Sequence, residues 1–579
     1  MNVNLKINGI DVTVPKGTTI LEAAKAVGVE IPTLCYMKKI NEIGACRICV
    51  VEVKGARSLV AACVYPVNEG MEVYTNSPAV IKARKTTLEL ILSNHNRKCL
   101  SCVRSDNCEL QKMAKDFGVE DCGRFDGAKT PSVVDDSAPH MIRDNSKCIL
   151  CRRCVAVCNH NQGVNVIGAV ERGFATSINC AFEDNLADSP CISCGQCIVN
   201  CPTGALTEKD DTAKVWDALN DPEKIVVVQT APAVRAALGE EFGLPIGTNV
   251  EGKMVAGLKM LGFDKVFDTN FSADLTIMEE GTEFIDRVQN GGKLPIITSC
   301  SPGWVKFCEY YYPEFIENLS SCKSPQQMFG AVTKTWYAEK NNIDPKNIVC
   351  VSVMPCVAKK FELGRDDQDA SGFQDVDISI TTRELAKMLK NACIDLPALP
   401  DAQFDNPLGE YTGAGVIFGA TGGVMEAALR TAVEVLTGKE APSIDFVEVR
   451  GTEGIKEATY NVNGMDINIC VCSGTANAAK VLDAVKSGEK NYHFIEVMGC
   501  PGGCVNGGGQ PIQPASVTNF TDVRALRAKV LYDIDAAASL RKSHENPVVK
   551  AIYDEYFGNP GSHKAHKILH TSYVARKKY

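Results

Sequence analysis

A chain of 579 residues is too long for one hydrophobic core, so three to five domains are expected. Charged residues at 23% and apolar ones at 45% are ordinary for a globular protein in water, and a net charge of −9 gives no footprint for nucleic acid. No window approaches the roughly 18 uninterrupted apolar residues of a membrane span, and Met1–Ile7 alternates like a strand instead of opening a signal peptide, so a cytoplasmic protein that meets no membrane is expected.

The 27 cysteines are the exception to this ordinary composition. In a long chain without an export signal, grouped as C-x-x-C runs, they point to soft metal ligation in a reducing compartment and not to disulfides.

Residues 1–78 read as a small β-rich domain. Val3, Leu5, Ile7 and then Val12 and Val14 alternate around Asn8-Gly9, a hairpin signal, and Thr19 with Glu22 opens a helix. Cys35, Cys46, Cys49 and Cys63 follow, with Gly44 small enough to let backbone amides approach sulfur. Such a set suits a two-iron cluster; a zinc ribbon is the alternative. Residues 79–126 look helical from Ile81, Leu88, Ile91 and Leu92, and carry His95, Cys99, Cys102 and Cys108, a set for either a 4Fe-4S cluster with one imidazole ligand or a Cys₃His zinc site. Cys122 reads as a plain buried thiol.

Residues 127–209 hold two copies of one motif, 43 positions apart. Cys148, Cys151, Cys154 and Cys158 form the first run; Cys191, Cys194, Cys197 and Cys201, with Pro202, form the second. This is the bacterial two-cluster ferredoxin spacing, in which the fourth cysteine of each run serves the other cluster. Cys201 should therefore complete the first set and Cys158 the second. Four clusters in series would make a wire.

From residue 210 to 579 the composition becomes ordinary α/β. Strand-like runs at Ile225–Val228, Ile296–Thr298, Ile348–Val353 and Phe494–Met498 alternate with amphipathic helices. Three cysteine motifs follow such runs: Thr298-Ser299-Cys300-Ser301-Pro302, Met354-Pro355-Cys356 through Lys359, and Met498-Gly499-Cys500-Pro501-Gly502-Gly503-Cys504. Loops at strand ends are where α/β domains build sites. Glu280, Glu283 and Arg287 fall on one face of a helical run, Met278–Val288, as a surface-exposed charged face or a proton route would. The Gly413–Gly419 stretch lacks a dinucleotide pattern and is expected to pack near the metal site. His140, His493, His544 and the tail histidines are expected at surface or satisfied core positions. Cys180 is expected to ligate nothing, Cys308, Cys322, Cys350, Cys393, Cys470 and Cys472 to be core thiols, and the basic tail (Lys564, Lys567, Arg576, Lys577, Lys578) to be solvated.

At these motifs the chain resembles the iron-only (FeFe) hydrogenases, over essentially its whole length. The resemblance implies a multidomain α+β and α/β protein: a β-grasp 2Fe-2S ferredoxin domain (1–78), a small helical His-Cys₃ domain (79–126) like that of the large peripheral subunit of respiratory NADH dehydrogenases, a two-cluster ferredoxin domain (127–209) and a large α/β H-cluster domain (210–579). It implies one 2Fe-2S cluster, three accessory 4Fe-4S clusters and an H-cluster, a cube joined to a two-iron subsite with CO, CN⁻ and a dithiolate bridge. Cys356, Cys500 and Cys504 fall on cube ligands, and Lys359 on a cyanide-binding lysine. Ala231, Pro232, Ser324, Gln326, Met354, Phe418 and Met498 fall on pocket-lining positions, and Ser320 on a bridge between the acids and Cys300.

The family pattern T-S-C-C-P is broken here by Ser301. Aligned without gaps, Cys300 is the proton-transfer thiol. Either Ser301 then ligates through oxygen, or the loop shifts so that Cys300 ligates, or the chain is an engineered or sensory form with low turnover. Implied partners are ferredoxin or flavin-containing NAD(P)-linked subunits, and the maturation proteins that install the two-iron subsite. A non-catalytic electron-transfer subunit would need residues 1–209 but not Cys356, Lys359, Cys500 and Cys504. An iron–sulfur assembly protein built on the large domain is the third class. Hydrogen at neutral pH sits near roughly −410 mV, close to the ~−400 mV of plant-type clusters, which suits reversible flow.

Overall fold

The computed structural model describes residues 1–119, 123–438, 443–462 and 464–578; Cys122 lies outside them. Among the described residues no helix is long and apolar enough to cross a membrane.

Strands Asn2–Ile7 and Ile10–Pro15 pair antiparallel across Asn8 and Gly9, both at positive φ, the turn whose twist matches the strands it joins. They belong to a five-stranded sheet whose inner face buries Val3, Leu5, Ile7, Val12 and Val14. The helix Ile20–Ala26 packs on it, its start fixed by the reciprocal Thr19–Glu22 capping box. The following segment is helical at Pro78–Asn94 and Glu109–Asp116, with the His95–Cys108 loop between. Its buried stripe is Val80, Arg84, Leu88 and Leu92, while Ile81 is exposed. The expected stripe began one residue late because Arg84 occupies an inward position, where its guanidinium donates to the Val50 carbonyl at 2.9 Å. A buried arginine held by a backbone carbonyl breaks an apolar pattern without breaking the helix.

The two ferredoxin-like loops share their backbone as well as their spacing. Leu150 and Ser193, 43 apart, both take positive φ, as do Arg152 and Gly195. That turn aims the Leu150 amide at Cys148 Sγ and the Ser193 amide at Cys191 Sγ, each at 3.4 Å.

The large domain carries two four-stranded sheets. One is wholly parallel, in the order Lys265–Asp268, Ile225–Thr230, Ile348–Met354, Ile378–Thr381. In the other, Ile296–Ile297, Phe494–Met498 and Met465–Ser473 run parallel and Ile455–Val462 closes antiparallel. The all-parallel strands read as unbroken apolar runs because both faces are covered. Loops bearing Ala231, Cys300, Cys356 and Cys500 leave the carboxyl ends of these parallel strands.

Two expectations are corrected here. Of the basic tail residues Lys564, Lys567, Lys577 and Lys578 are exposed as expected, but Arg576 pairs with the fully buried Glu309 at 2.6 Å, and helix His563–Leu569 packs into the core through Ala565, Ile568 and Leu569. Burying Glu309 requires such partners, and Arg365 supplies the other. Cys393 is not a core thiol; it is exposed at positive φ, two residues past the end of helix Thr382–Asn391.

Candidate functional site

The described cysteines are all free thiols, and most are gathered in groups. Cys49 and Cys63 lie 3.3 Å apart, and the Cys46 amide donates to Cys35 Sγ at 3.5 Å. Within each of the pairs Cys35–Cys46 and Cys49–Cys63 the hydrogen bond between thiols lowers one pKa and raises the other. His95 is buried with no partner for Nδ1 among the described residues, and desolvation lowers its pKa to about 4, leaving a neutral imidazole suited to a metal. Cys148, Cys151 and Cys201 surround Cys154, and burial followed by their charges raises its pKa. Cys194, Cys191, Cys154 and Cys158 act in the same way on Cys197. The crossed sets expected from the spacing thus come together in space, Cys201 with the first run and Cys158 with the second. Several soft thiols buried together repel one another as thiolates, a donor set that fits a cationic iron–sulfur core.

The groups do not lie in simple series. Asn41, buried, donates from one amide to both the Cys35 and Cys151 carbonyls at 2.7 and 3.0 Å. From another side, Cys108 Sγ lies 3.7 Å from the Pro202 carbonyl and Arg104 donates to the Cys201 carbonyl at 2.9 Å. Both N-terminal groups therefore abut the same ferredoxin-like set. The arrangement of cysteine groups forks because spatial neighbours are chosen by packing and not by chain order. Beyond the fork, Cys197 lies near Cys154, and Cys500 Sγ is 3.9 Å from the Cys194 carbonyl.

His140 departs from expectation. It is buried, desolvation lowers its pKa to about 3, its Nδ1 has no partner among the described residues, and Nε2 is 3.8 Å from Cys191 Sγ. It is neither surface nor satisfied. His544 meets Thr431 and Glu434, and His493 Nδ1 accepts from the Asn468 amide, as satisfied positions should.

At the terminal site Cys356, Cys500 and Cys504 converge. Burial raises all three thiol pKa values first, and the charge of Cys356 then raises those of Cys500 and Cys504. The loops close this tightly because they lack Cβ atoms: one on Gly507 would sit 2.1 Å from the Pro355 carbonyl, and one on Gly508 2.6 Å from that of Cys194. Met354, Phe418 and Met498 are buried around the site, with Ala231 and Pro232 at the end of Ile225–Thr230. Gly415 packs on the Asn270 carbonyl, so the Gly413–Gly419 stretch serves packing as expected. Three soft thiols inside an apolar shell fit a bulky iron–sulfur group.

Lys359 Nζ donates to Ser324 Oγ at 2.8 Å and the Cys300 carbonyl at 3.1 Å, and pairs with Glu362 at 2.9 Å. Gln326 is tied to Glu362 at 2.9 Å and to Ser352 at 2.8 Å, so it braces the lysine's partner. Ser301 Oγ accepts from the Gly499 amide at 3.1 Å, next to Cys500. The Cys300 thiol is buried; burial raises its pKa, Glu280 and Cys504 add to this, and Lys359 opposes them.

Glu280, Glu283 and Arg287 do share one face of helix Thr269–Asn290. Burial raises Glu280 to about 8; a Ser320 hydrogen bond opposes this and the Glu283 charge assists it. Ser320 Oγ also donates to Glu283 at 3.4 Å, and Arg287 pairs with Glu283 near the surface. Sequence reasoning missed Glu362, three residues after Lys359, an ion-pair spacing that was legible. It also missed Glu496, fully buried, which accepts from the Gly422 and Met425 amides at 2.6 and 2.7 Å and anchors helix Gly423–Thr437 beside the site. An acid inside an apolar strand was its signal.

The fold and these cysteine groups define an iron–sulfur oxidoreductase with a buried terminal metal site. Residues 224–508 match the model "Iron only hydrogenase large subunit, C-terminal domain" and 521–576 "Iron hydrogenase small subunit". Residues 1–78 match a 2Fe-2S iron–sulfur cluster binding domain, 84–122 the NADH-ubiquinone oxidoreductase-G iron–sulfur binding region, and 138–207 the ferredoxin-like domain of NADH-quinone oxidoreductase subunit 3. The chain is 49% identical to the NADP-reducing hydrogenase subunit HndD of Solidesulfovibrio fructosivorans, over 100% of this chain and 99% of the relative. It is 45% identical to iron hydrogenase 1 of Clostridium pasteurianum, over 98% and 99%. A solved apo FeFe-hydrogenase HydA1 of Chlamydomonas reinhardtii superposes with a TM-score of 0.55 at 42% identity, over 62% of this chain and 98% of that one. The chain belongs to the iron-only hydrogenase family. It is an enzyme that interconverts protons and molecular hydrogen and relays electrons through iron–sulfur domains.

Proposed function

We propose that Cys356, Cys500 and Cys504 hold the cube of an H-cluster, that Ser301 Oγ takes its fourth position, and that Cys300 is the thiol that moves protons to and from the centre. The single observation behind this is the meeting of those three thiols with Cys300, Lys359 and the buried Glu280. When bound, the H-cluster supplies the electron pair that joins two protons, or accepts it in reverse. Glu283, held by Arg287 near the surface, exchanges protons with solvent and passes them through Ser320 to Glu280. Glu280 shuttles them to the Cys300 thiol, and the apolar Met354, Phe418 and Met498 keep water from the centre. Lys359, oriented by Glu362 and Ser324, offers its ammonium to anionic groups on the metal.

Cys35, Cys46, Cys49 and Cys63 would hold a 2Fe-2S cluster and His95, Cys99, Cys102 and Cys108 a 4Fe-4S cluster, two entry points for electrons. Cys148, Cys151, Cys154 and Cys201 would hold the cluster where these branches meet, and Cys158, Cys191, Cys194 and Cys197 the one nearest Cys500. Domain limits at 78, 126 and 209 separate these modules from the catalytic unit. A forked path suits a subunit serving a flavin-containing NAD(P)-linked complex, as the name of the Solidesulfovibrio relative suggests, or ferredoxin on one branch. So many unpaired thiols favour the reducing cytoplasm, where maturation proteins would install the two-iron subsite.

Infrared spectra of the anaerobically matured protein test this reading. Bands of metal-bound CO and CN⁻ together with hydrogen evolution from reduced viologen are expected; their absence after full maturation would remove it. A Cys300→Ala protein should keep those bands and lose turnover, whereas loss of the cube would make Cys300 the ligand.

A further inference from the structure

Outside the metal site one cluster of ligand-type side chains stands at the outer end of the acid line. Glu283, Cys322 and His570 each offer one donor atom, and these atoms lie within 4.8 Å of one another. Cys322 and His570 are buried and Glu283 is partly exposed, so the cluster has an open side toward solvent. The residues come from three places: helix Thr269–Asn290, the loop after Ser320, and the end of the pinned tail.

The donor set is chemically mixed: one thiol, one imidazole, one carboxylate. His570 Nε2 is 3.0 Å from Glu279 Oε2, and Glu279 also accepts from the Tyr553 hydroxyl and the Gly561 amide, so that carboxylate is fixed in place. A carboxylate behind an imidazole orients the ring and leaves the other nitrogen as a donor, as in many zinc sites. That other nitrogen, Nδ1, is 2.8 Å from Ser321 Oγ, which is itself 3.0 Å from Glu283 Oε2. With Nε2 donating to Glu279, the single Ser321 hydroxyl hydrogen faces two acceptors. Glu283 Oε2 also accepts from the Ser321 amide at 3.0 Å, so the hydroxyl hydrogen is free to go to His570, and a cation on Nδ1 would replace that one hydrogen bond. Cys322 Sγ is 4.0 Å from the same Glu283 oxygen. Zinc with S, N and O ligands needs donors roughly 3.4–3.8 Å apart, so small side-chain rotations close the set, and Ser321 or water completes four-coordination.

We propose that Glu283, Cys322 and His570 bind a thiophilic divalent cation, Zn²⁺ in the first instance, and that its binding takes the Glu283 carboxylate out of the proton line and slows hydrogen turnover. The binding half stands by itself; the inhibitory half rests on the proton line proposed above. Binding releases the Cys322 proton to solvent, and no electron moves. The cation acts from outside the metal centre and leaves the iron–sulfur groups untouched.

The test uses the matured holoenzyme, whose other clustered thiols are occupied by iron. Zinc chloride is titrated anaerobically against a chromophoric chelator, X-ray absorption is recorded at the zinc edge, and hydrogen evolution is followed in parallel. Expected results are one tight site, a Zn–S path of about 2.3 Å, and loss of turnover that a chelator reverses. In Cys322→Ala, and in the closer-to-native Cys322→Ser should the alanine form fold poorly, affinity should drop by about 100-fold or more, beyond the 10–100-fold of a second-shell change. Basal turnover without zinc should stay as in the parent, because Cys322 lies outside the proton line. Equal zinc binding by parent and variants, or no Zn–S path, overturns the site. A zinc site that disappears in the variants but leaves the parent's turnover unaffected keeps the site and overturns Glu283 as the proton gate.

Discussion

The two ferredoxin-like loops and the three catalytic loops handle the same ligand atom in opposite ways. At 148–158 and 191–201 the thiols are set by local chain geometry, with positive-φ residues at matching positions turning amides onto sulfur. At the terminal site Cys300, Cys356 and Cys504 are far apart in sequence and are convened by the carboxyl ends of strands in two sheets. The first kind of site is built by a motif and the second by a fold, so substitutions should damage the first through local strain and the second through chemistry.

The largest contrast should come from Cys504→Ala, which is expected to abolish both hydrogen turnover and the CO and CN⁻ infrared bands. The paramagnetic signals of the accessory clusters should remain; their joint loss would mean the two regions fold as one cooperative unit. Next in size, Glu280→Gln should lower turnover by about 10²–10⁴-fold, the range for a positioned proton carrier, with the infrared bands unchanged.

The same residue sets a pH dependence. Glu280 is raised to about 8 by burial, so hydrogen evolution, which needs its acid form, should fall as pH rises past about 8. Hydrogen oxidation, which needs the carboxylate, should fall below it. In stability terms an acid with a raised native pKa contributes most below its unfolded value near 4.5, and that contribution is lost as pH rises through the folded value. The glutamine form should lose this limb of the profile in a pH series of melting temperatures.

Smaller effects compare the repeated loops. A Cβ on Gly195 would meet Val357 at 2.5 Å and the Gly508 backbone at 2.9 Å, at positive φ. Gly195→Ala should destabilise by about 1–3 kcal/mol in chemical denaturation and perturb the neighbouring catalytic loop. Its counterpart Arg152 is exposed at φ 60°, so Arg152→Gly should be neutral or stabilising by up to ~1 kcal/mol. Asn41→Ala should cost about 1–2 kcal/mol, with slower electron exchange between the proposed 2Fe-2S branch and the ferredoxin-like groups.

Much of this molecule is written locally. The Asn8-Gly9 hairpin, the Thr19–Glu22 cap, the crossed grouping in space of the Cys158 and Cys201 thiols and the strand-end loops of the large domain follow from short-range rules of turns, capping and motif spacing, and all are present. Those rules act over a few residues, so one sequence suffices to read them.

What the chain order could not express was decided by packing. Only the tertiary structure set both N-terminal cysteine groups against Cys151 and Cys201, buried Arg84 within an apolar stripe, tied Arg576 to Glu309, and brought Glu362, Glu496 and His570 to the candidate site. Each is a polar or charged group in a low-dielectric interior, stable only with a partner distant in sequence. A periodicity records where side chains point, but the partner that makes burial tolerable belongs to another element.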